Sequence, residues 1–394
     1  MTRRVLKAAL ATGIVTLVGF AVATGSALAI SFTLTGPKET VFDYDTMRCD
    51  DGDYPDGTAQ PLRDSTGRLQ VLTGQRRMLG TNFNDLTEEC NRLVIPSPLD
   101  PNPAHYNYLR WLGAVYTENG RDIYALVHNE WHGWDIPAAC PVGAGKRRCG
   151  VIGVTYAESH DNGDNYTAPA PPGNFVATVP PRPALDDTRT GLAGATTPIK
   201  KGSYWYSLNF TSADANNPRD GVCIMRTSDI TDPTSWRGWD GTSFSLRFKN
   251  PYYESFPPDP ANICEPVDYD HIQMMARQVT YNTYLGKYVL TGNAVKYDPT
   301  RGQLVYGFYY STSTDLIHWS MRDLMLEVPT LTSHQCGGPD AGAYPTLIDH
   351  DAPDRLYQTG DATMYLYYVE LHYNLACQLT SNRDLVRIPI QFSQ

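Results

Sequence analysis

Carboxyl and imidazole side chains alternate in one short segment of the sequence. His128, Glu130 and His132 stand two residues apart in the segment His-Asn-Glu-Trp-His, which follows a run of apolar residues. Because the side chains of a β-strand alternate between its two faces, all three fall on one side, with the carboxyl group between two imidazoles. Glu370 and His372 repeat this spacing near the end of the chain. Groups of these types can transfer protons near neutral pH.

A further carboxyl group lies in a turn. Asp56 is part of the segment Tyr-Pro-Asp-Gly at positions 54–57, whose Pro and Gly are also typical of a turn without any chemical role. Two carboxyl groups can act as acid and base on the same bond when their surroundings keep one protonated and the other ionised. Asp56 with Glu130 or Glu370 would provide such a pair.

Other polar side chains recur where strands begin and end. When one strand enters a sheet and the next returns, the start of the first and the end of the second lie side by side. The residues near such positions that we predict to bind a ligand are Arg76, His128, Trp131, His132, Asn209, Asp270, His271, Asn293 and His372. Core packing is the alternative for the tryptophan, and structural hydrogen bonding is the alternative for the histidines. A metal held by His and Glu is a further alternative, but the spacing identifies none, and we predict no metal and no cofactor.

One structural unit recurs five times along the chain. Each copy has an apolar strand, a turn, a second strand rich in Tyr, Val and Leu, and then Ser or Thr followed by Asp. Gly and Pro punctuate the sequence, and no long amphipathic helix pattern is present. The repeat predicts an all-β fold, namely a single five-bladed β-propeller of four-stranded antiparallel blades over residues 30–394.

The fifth copy lacks an outer strand. The segment Ser-Phe-Thr-Leu at residues 31–34 would supply it and close the ring, which removes the exposed edges of an open array. A sandwich of two sheets is the alternative architecture. It accounts for the strands, but it does not account for the fivefold return of one pattern.

The first 29 residues have the pattern of an export signal. Arg3, Arg4 and Lys7 precede an apolar stretch that ends in Ala-Leu-Ala at positions 27–29. The paired arginines also resemble a twin-arginine signal. A transmembrane anchor is the alternative, but Gly, Ser and Thr interrupt the apolar run. We expect cleavage after Ala29, a secreted or periplasmic bacterial protein, and no stable membrane insertion of the mature chain.

Charge and cysteine content restrict the partners and the compartment. Loss of the three basic residues in the signal takes the net charge from −10 to −13. Nucleic acid is not expected as a partner, because phosphate backbones require dense Lys and Arg. The eight cysteines indicate disulfides in an exported chain, and the simplest hypothesis pairs neighbours in order. The sequence contains no Cys-x-x-Cys spacing, so a metal-thiolate site is not expected.

Two short motifs resemble those of known propeller families. The segment Ser-x-Asp-x-Gly-x-x-Tyr at positions 159–166 resembles the Asp-box turn of sialidase-like propellers. Residues 313–319, Ser-Thr-Asp-Leu-Ile-His-Trp, resemble a blade signature of five-bladed arabinanase, xylosidase and invertase-type hydrolases. Both motifs are expected to tie turns to backbone amides, so they support the fold rather than a reaction.

The resemblance implies a role for Asp56. In the arabinanase and xylosidase hydrolases, an Asp before the innermost strand of the first blade is the general base, and Pro typically follows it. Here the Pro precedes Asp56, which is a departure from that pattern. The sialidase pattern fits less well, because no clear arginine triad is present. The resemblance implies a secreted, monomeric glycosidase acting on a furanoside or related polysaccharide, with Asp56 as base and Glu130 or Glu370 as acid. A carbohydrate-binding propeller without catalysis and a structural cell-surface protein are the alternatives.

Overall fold

Strands make up almost all of the regular structure. The computed structural model describes residues 30–90, 92–140, 149–179, 189–212, 221–254 and 263–394. The predicted signal, residues 1–29, lies outside them. The helices are α1 (Tyr44–Met47) and α2 (Tyr269–Ile272), with 3₁₀ turns at Pro103–His105, Gly133–Asp135 and Pro233–Ser235. The all-β prediction is confirmed. Among the described residues, no helix has the length and apolar character needed to cross a bilayer.

The strands are numbered in chain order. The first twelve are β1 (Ser31–Leu34), β2 (Glu39–Phe42), β3 (Gln60–Arg63), β4 (Leu69–Leu72), β5 (Arg77–Gly80), β6 (Thr87–Glu88), β7 (Leu109–Tyr116), β8 (Ile123–His132), β9 (Gly150–Ser159), β10 (Phe175–Ala177), β11 (Arg189–Ala193) and β12 (Ile199–Lys201). The remaining strands are β13 (Tyr204–Ser212), β14 (Gly221–Thr227), β15 (Arg237–Gly238), β16 (Leu246–Arg247), β17 (Gln278–Asn282), β18 (Lys287–Asp298), β19 (Gln303–Ser313), β20 (Asp323–Glu327), β21 (Ala341–Ile348), β22 (Thr359–Gly360), β23 (Thr363–Tyr373) and β24 (Leu379–Ser393).

Hydrogen bonding divides these strands into four sheets. The first has the order β3-β4-β5-β6, and the third has the order β20-β19-β18-β17-β22. The fourth has the order β1-β24-β23-β21, with β2 also paired to β24. The second contains ten strands, β7 to β16, and falls into two largely antiparallel groups that are joined by parallel pairing of β9 with β11. The predicted count of five blades therefore stays a prediction.

The N-terminal strand pairs with the C-terminal strand. Ser31 lies opposite Ser393 and Leu34 lies opposite Ile390 in the antiparallel pairing of β1 with β24. The ring of Phe32 packs edge-on against Phe392, with ring centroids 5.5 Å apart. The structure thus places residues 31–34 at the edge of the last sheet, as the sequence predicts, and closure of a ring stays a prediction.

Apolar clusters connect the sheets face to face. Leu69 and Val71 of the first sheet share a buried cluster with Tyr367 and Val369 of the last. A second cluster joins β3 and β4 to the β7–β9 group, a third joins β13 and β14 to β17 and β18, and a fourth joins β18 and β19 to β23 and β24. Burial of these side chains is the main favourable contribution to the fold.

The cysteines pair in chain order. The four disulfides join Cys49 to Cys90, Cys140 to Cys149, Cys223 to Cys264 and Cys336 to Cys377. This confirms the neighbour-pairing hypothesis. Three of the bridges span 41 residues each, so they restrict the unfolded chain more than short loops do.

The two signature motifs form side-chain-capped turns. The Ser159 hydroxyl bonds the Asp161 carboxylate at 2.7 Å, and that carboxylate also accepts from the Asn165 amide nitrogen at 2.9 Å. Asp315 likewise accepts from the backbone amides of Ile317 and His318. These contacts confirm that the motifs support turns, as expected from the residue types.

Candidate active site

Asp56 is held by two donors from the last sheet. It lies in the loop before β3, where its amide nitrogen donates to the Thr73 carbonyl at 3.1 Å. The Tyr344 hydroxyl donates to Asp56 Oδ1 at 2.9 Å, and Arg383 Nη1 donates to the same oxygen. No described residue donates to Oδ2, and the side chain is 23% exposed. One oxygen is thus anchored while the other can accept a proton from a bound molecule or water.

The two donors are themselves positioned by local packing. Arg383, at the start of the long strand β24, stacks over the Tyr54 ring at 4.4 Å. Burial is the largest influence and lowers the pKa of Arg383, but Asp56, Tyr344 and Tyr54 together raise it by more, so the pKa is raised overall. Tyr344 has a left-handed backbone, with φ of 58°, where the pairing of β21 with β23 shifts register. Burial and the Asp56 charge raise the pKa of the Tyr344 hydroxyl far above its usual range, so it remains a donor.

The His-Glu-His segment forms the cluster that strand alternation predicts. His128 Nε2 and His132 Nε2 each lie 2.8 Å from a different oxygen of Glu130. The His132 ring stacks on Trp134 with centroids 4.2 Å apart. Trp134 in turn lines a surface pocket of about 340 Å³, together with Gly133, residues 135–138 and Cys140. A proton on this cluster can be carried by the carboxyl group or by either imidazole.

Trp111 and Gly74 connect the His-Glu-His cluster to the Asp56 loop. The Trp111 and His128 rings lie 5.7 Å apart between centroids. Gly74 has φ of 140°, and a Cβ built there would lie 3.1 Å from the Trp111 ring, so glycine permits this close approach. Gly74 directly follows Thr73, whose carbonyl binds Asp56. The two carboxyl groups therefore belong to one continuous set of contacts between the first two strand groups.

Glu370 and His372 do not reproduce this cluster. Lys38 Nζ donates to both oxygens of Glu370 at 2.7 Å. His372 instead lies between Asp340, at 2.7 Å, and Asp384, at 3.1 Å. The hydrogen bond to Asp384 is the largest cause that raises the pKa of His372 to about 9.

Glu370 also projects away from Arg383. In the pairing of β23 with β24, Glu370 lies opposite Asp384 and Leu371 lies opposite Arg383. Opposed residues share a face and consecutive residues alternate, so Glu370 and Arg383 occupy different faces of the sheet. The structure therefore associates Arg383, and not Glu370, with Asp56.

Arg76 belongs to an acidic cluster at one end of the first sheet. Its guanidinium donates to Asp50 and to the Cys90 carbonyl, and it lies 3.4 Å from Asp53. Asp53 and Glu88 lie close to Cys49, a spacing that metal ligands also use. However, the Cys49 sulfur is bonded to Cys90, so it offers no thiolate. Arg76 is thus engaged in ion pairs rather than open to a ligand.

Trp131 and the two asparagines differ in their surroundings. Trp131 is 2% exposed and donates to the Pro101 carbonyl, so it packs in the core, as the alternative interpretation holds. Strand alternation is the reason, since it faces away from His128, Glu130 and His132. Asn209 is fully buried, and neither of its amide atoms has a hydrogen-bond partner among the described residues. Asn293 Nδ2 donates to the Gly342 carbonyl at 3.3 Å.

Asp270 and His271 are occupied by contacts outside the Asp56 cluster. Their carbonyl oxygens accept from Arg322 Nη1 at 3.0 Å. His271 Nδ1 also lies 3.0 Å from Asp268, which in turn accepts from the Trp319 backbone. No contact in the described part of the chain joins them to Asp56.

The chain is similar to known proteins in three-dimensional structure, but its sequence matches no known family. No protein-family model and no curated protein matches the chain. The fold is similar to a glycosyl hydrolase from Bacteroides ovatus, with 11% identity, coverage of 91% of this chain and 93% of that chain, and a TM-score of 0.45. It is also similar to an α-L-arabinofuranosidase from Lactobacillus brevis, with 11% identity, coverage of 89% and 94%, and a TM-score of 0.45. A xylan β-1,4-xylosidase from Bacillus halodurans has 12% identity, coverage of 85% of this chain and 52% of its own, and a TM-score of 0.42.

These neighbours are of the type that the sequence motifs resemble, at low identity. No specific member of that group matches the chain.

Three residues of the Asp56 cluster are absent from the site predicted from sequence. Tyr344, Arg277 and Arg383 contact or flank Asp56 in the fold. A usable signal exists only for Arg277, which directly precedes β17, because Asp56 likewise lies in the segment that leads into β3. A guanidinium at the start of an inner strand can bind a ligand as a carboxyl or imidazole group can.

Proposed function

We propose that the protein is a glycoside hydrolase acting on a furanoside-containing or related polysaccharide, with Asp56 as the general base. The observation that supports this is the anchoring of Asp56. Arg383 and Tyr344 restrain one oxygen, and the other oxygen has no donor among the described residues. A base must combine a fixed orientation with one open lone pair, and this arrangement supplies both.

For the acid, Glu130 is the better of the two predicted groups. Glu130 lies between two imidazoles that can supply or take up its proton, and the His132 ring stacks on Trp134, which lines a surface pocket. Contacts through Gly74 and Trp111 connect it to the Asp56 loop. Glu370 is neutralised by Lys38 and lies on a different face of its sheet from Arg383. His128, His132 and Asn293 complete the proposed binding residues.

The proposal includes a five-bladed ring. The ten-stranded sheet separates into two groups where β9 and β11 run parallel, which would make five units in all. Buried clusters follow the units in chain order, and one cluster joins the last unit to the first. A ring would bring the starts of the inner strands to one mouth. Four disulfides fit the proposed secretion into an oxidising compartment.

The test is turnover by amide variants of the mature protein. Wild type, D56N, E130Q and E370Q are incubated with aryl furanosides, aryl xylosides and plant polysaccharides, and released reducing sugar is measured. We expect D56N and E130Q to lower kcat by about 10²- to 10⁴-fold, because general acid or base catalysis contributes that much. We expect E370Q to keep wild-type kcat. The exposed carboxylate variant D323N is the control, since its side chain is 59% exposed.

Retention of full activity in D56N would contradict the assignment of the base. Absence of sugar release from every glycan would contradict the hydrolase itself. A carbohydrate-binding protein without catalysis is the second candidate, and it is favoured by the engagement of both candidate acids in hydrogen bonds or ion pairs. It predicts glycan binding without turnover.

A further inference from the structure

Arg277 is a cation near Asp56, and within the described residues it has no ion-pair partner of its own. It directly precedes β17, and its amide nitrogen donates to the Thr291 carbonyl at 3.1 Å. Its guanidinium lies over two aromatic rings, 4.9 Å from the Phe210 centroid and 5.0 Å from the Tyr344 centroid. Throughout the described residues, no oxygen accepts a hydrogen bond from it. The two rings thus hold the guanidinium in place while its donors stay unused.

Desolvation of this guanidinium is not compensated. Burial lowers the pKa of Arg277 from its ordinary value, against smaller opposing effects of Tyr344 and Asp56. The nearby carboxylate of Asp56 is already paired with Arg383. The cluster therefore contains two guanidinium groups and one carboxylate, and it retains one positive charge. A charge removed from water without a partner is costly, so such a site favours an anionic ligand.

A glycine, Gly194, lies beside the Arg277 guanidinium. Gly194 has φ of 67°, and a Cβ built there would lie 3.4 Å from Arg277 Nη1 and 2.7 Å from the Phe210 ring. A larger residue would displace Phe210 or crowd Arg277. Glycine thus preserves the stacked position of the guanidinium. The Arg277 residue as a whole is only partly buried.

From this arrangement we propose that Arg277 binds the carboxylate of an acidic sugar, so that the ligand is a glycan containing a hexuronate. A sugar hydroxyl can accept a hydrogen bond from Arg277, but it does not neutralise the charge. A carboxylate does both, through two parallel hydrogen bonds to the planar guanidinium. The inference rests on the proposed carbohydrate function and specifies its substrate class.

The test compares sugars that differ only at C6. D-galacturonate with D-galactose, and D-glucuronate with D-glucose, are titrated into the full mature protein by calorimetry at pH 7. We expect each uronate to bind wild type roughly 10- to 100-fold more tightly than its neutral partner, as expected for hydrogen bonds to a charged group. R277M should remove this preference, so that each uronate binds no more tightly than its neutral partner.

Two further variants control for folding and for stacking. R226M is the matched control, because Arg226 also stacks on aromatic rings, at 4.0 Å from Tyr204 and 4.4 Å from Phe244. It should keep the wild-type uronate preference. R277M should unfold at the wild-type temperature or higher, because it removes a desolvated charge. If R277M does not fold, R277K retains the charge, and it should bind uronate more weakly than wild type because it lacks the planar pair of donors.

The outcomes separate this inference from the proposed function. Equal affinity of wild type for uronate and neutral sugar, or a uronate preference that survives in R277M, would overturn the inference. Turnover of neutral furanosides that requires Asp56 would still support the hydrolase in that case. Uronate binding that requires Arg277, in a protein that hydrolyses no glycan, would support the inference and overturn the hydrolase.

Discussion

Glu88 shows at the residue scale how the fold sets a protonation state. Burial, followed by the charge of Asp53, raises the pKa of Glu88 to about 8, against the opposing charge of Arg76. Asp53 also has a raised pKa, mainly because of burial. The folded protein therefore keeps the Glu88 side chain protonated at neutral pH.

This leads to a pH-dependent prediction for E88Q. In the unfolded chain the Glu88 carboxyl ionises near its ordinary value of 4.5, so its contribution to stability is lost as pH rises from there through about 8. Glutamine mimics the protonated side chain at every pH. Discounted for partial exposure, E88Q should raise the free energy of unfolding at pH 8 by about 1–2 kcal/mol and change it little near pH 4.5.

Urea denaturation at the two pH values measures this difference. E327Q is the control, because the Glu327 side chain is 51% exposed and far from this cluster in sequence. Parallel pH profiles for wild type and E88Q would contradict the raised pKa.

At the scale of elements, one histidine joins the first sheet to the last. The His350 ring lies between Phe83, at 4.1 Å, and Tyr365, at 3.9 Å, with nearly parallel planes. Its Nε2 lies 2.8 Å from the Tyr367 hydroxyl. Burial, then the charge of Arg387, lowers the pKa of His350 to about 3. Phe83 comes from the loop between β5 and β6, so this stack connects two distant parts of the chain.

The stack predicts a loss of stability on acidification. Unfolded histidine takes up a proton near pH 6.5 and folded His350 does so only near 3, so stability falls as pH drops through this range. H350F retains an aromatic ring but loses one hydrogen bond, which should cost about 1 kcal/mol at pH 7. The variant should then lose less stability than wild type between pH 7 and pH 4.5.

Denaturation curves at pH 7 and 4.5 decide the point. H105F is the control, because the His105 side chain lies outside this stack and is 33% exposed. An equal loss on acidification in H350F and wild type would show that His350 is not the proton acceptor concerned.

At the scale of the whole molecule, the two ends of the described chain form one sheet. Phe32 of β1 packs against Phe392 and lies 6.0 Å from the Tyr310 ring, which belongs to the preceding sheet. The N-terminal strand therefore covers the edge of β24 and contacts two sheets. An uncovered edge strand is a site for association between molecules.

Removal of the Phe32 ring should weaken this junction. F32A should lower the free energy of unfolding by about 1–3 kcal/mol, less than for a fully buried phenylalanine, and should increase self-association. Calorimetric Tm and size-exclusion chromatography measure the two effects. T33A alters an exposed neighbour on the same strand and should leave both unchanged. A wild-type Tm for F32A would mean that β1 contributes little to stability.

Local patterns account for what could be predicted from the sequence. Alternation along a strand depends only on neighbouring residues, so the position of Glu130 between His128 and His132 follows from their spacing. By the same rule, the Trp131 side chain points into the core, so its burial also follows from strand alternation. The turn motifs are local for the same reason, since their hydrogen bonds span two to four residues.

Long-range packing decided the rest of the candidate site. Tyr344 and Arg383 reach Asp56 across 288 and 327 residues of sequence, and no local pattern encodes which residues meet over such distances. Glu370 has the same spacing from His372 as Glu130 has from His132, yet Lys38 neutralises it because the N-terminal segment packs beside the last sheet. The amino-acid sequence by itself determined the strand-rich fold and the turns, and it made neighbour pairing of the cysteines the simplest hypothesis. Only the tertiary structure decided which charges are paired, because ion pairing depends on how the sheets pack against one another.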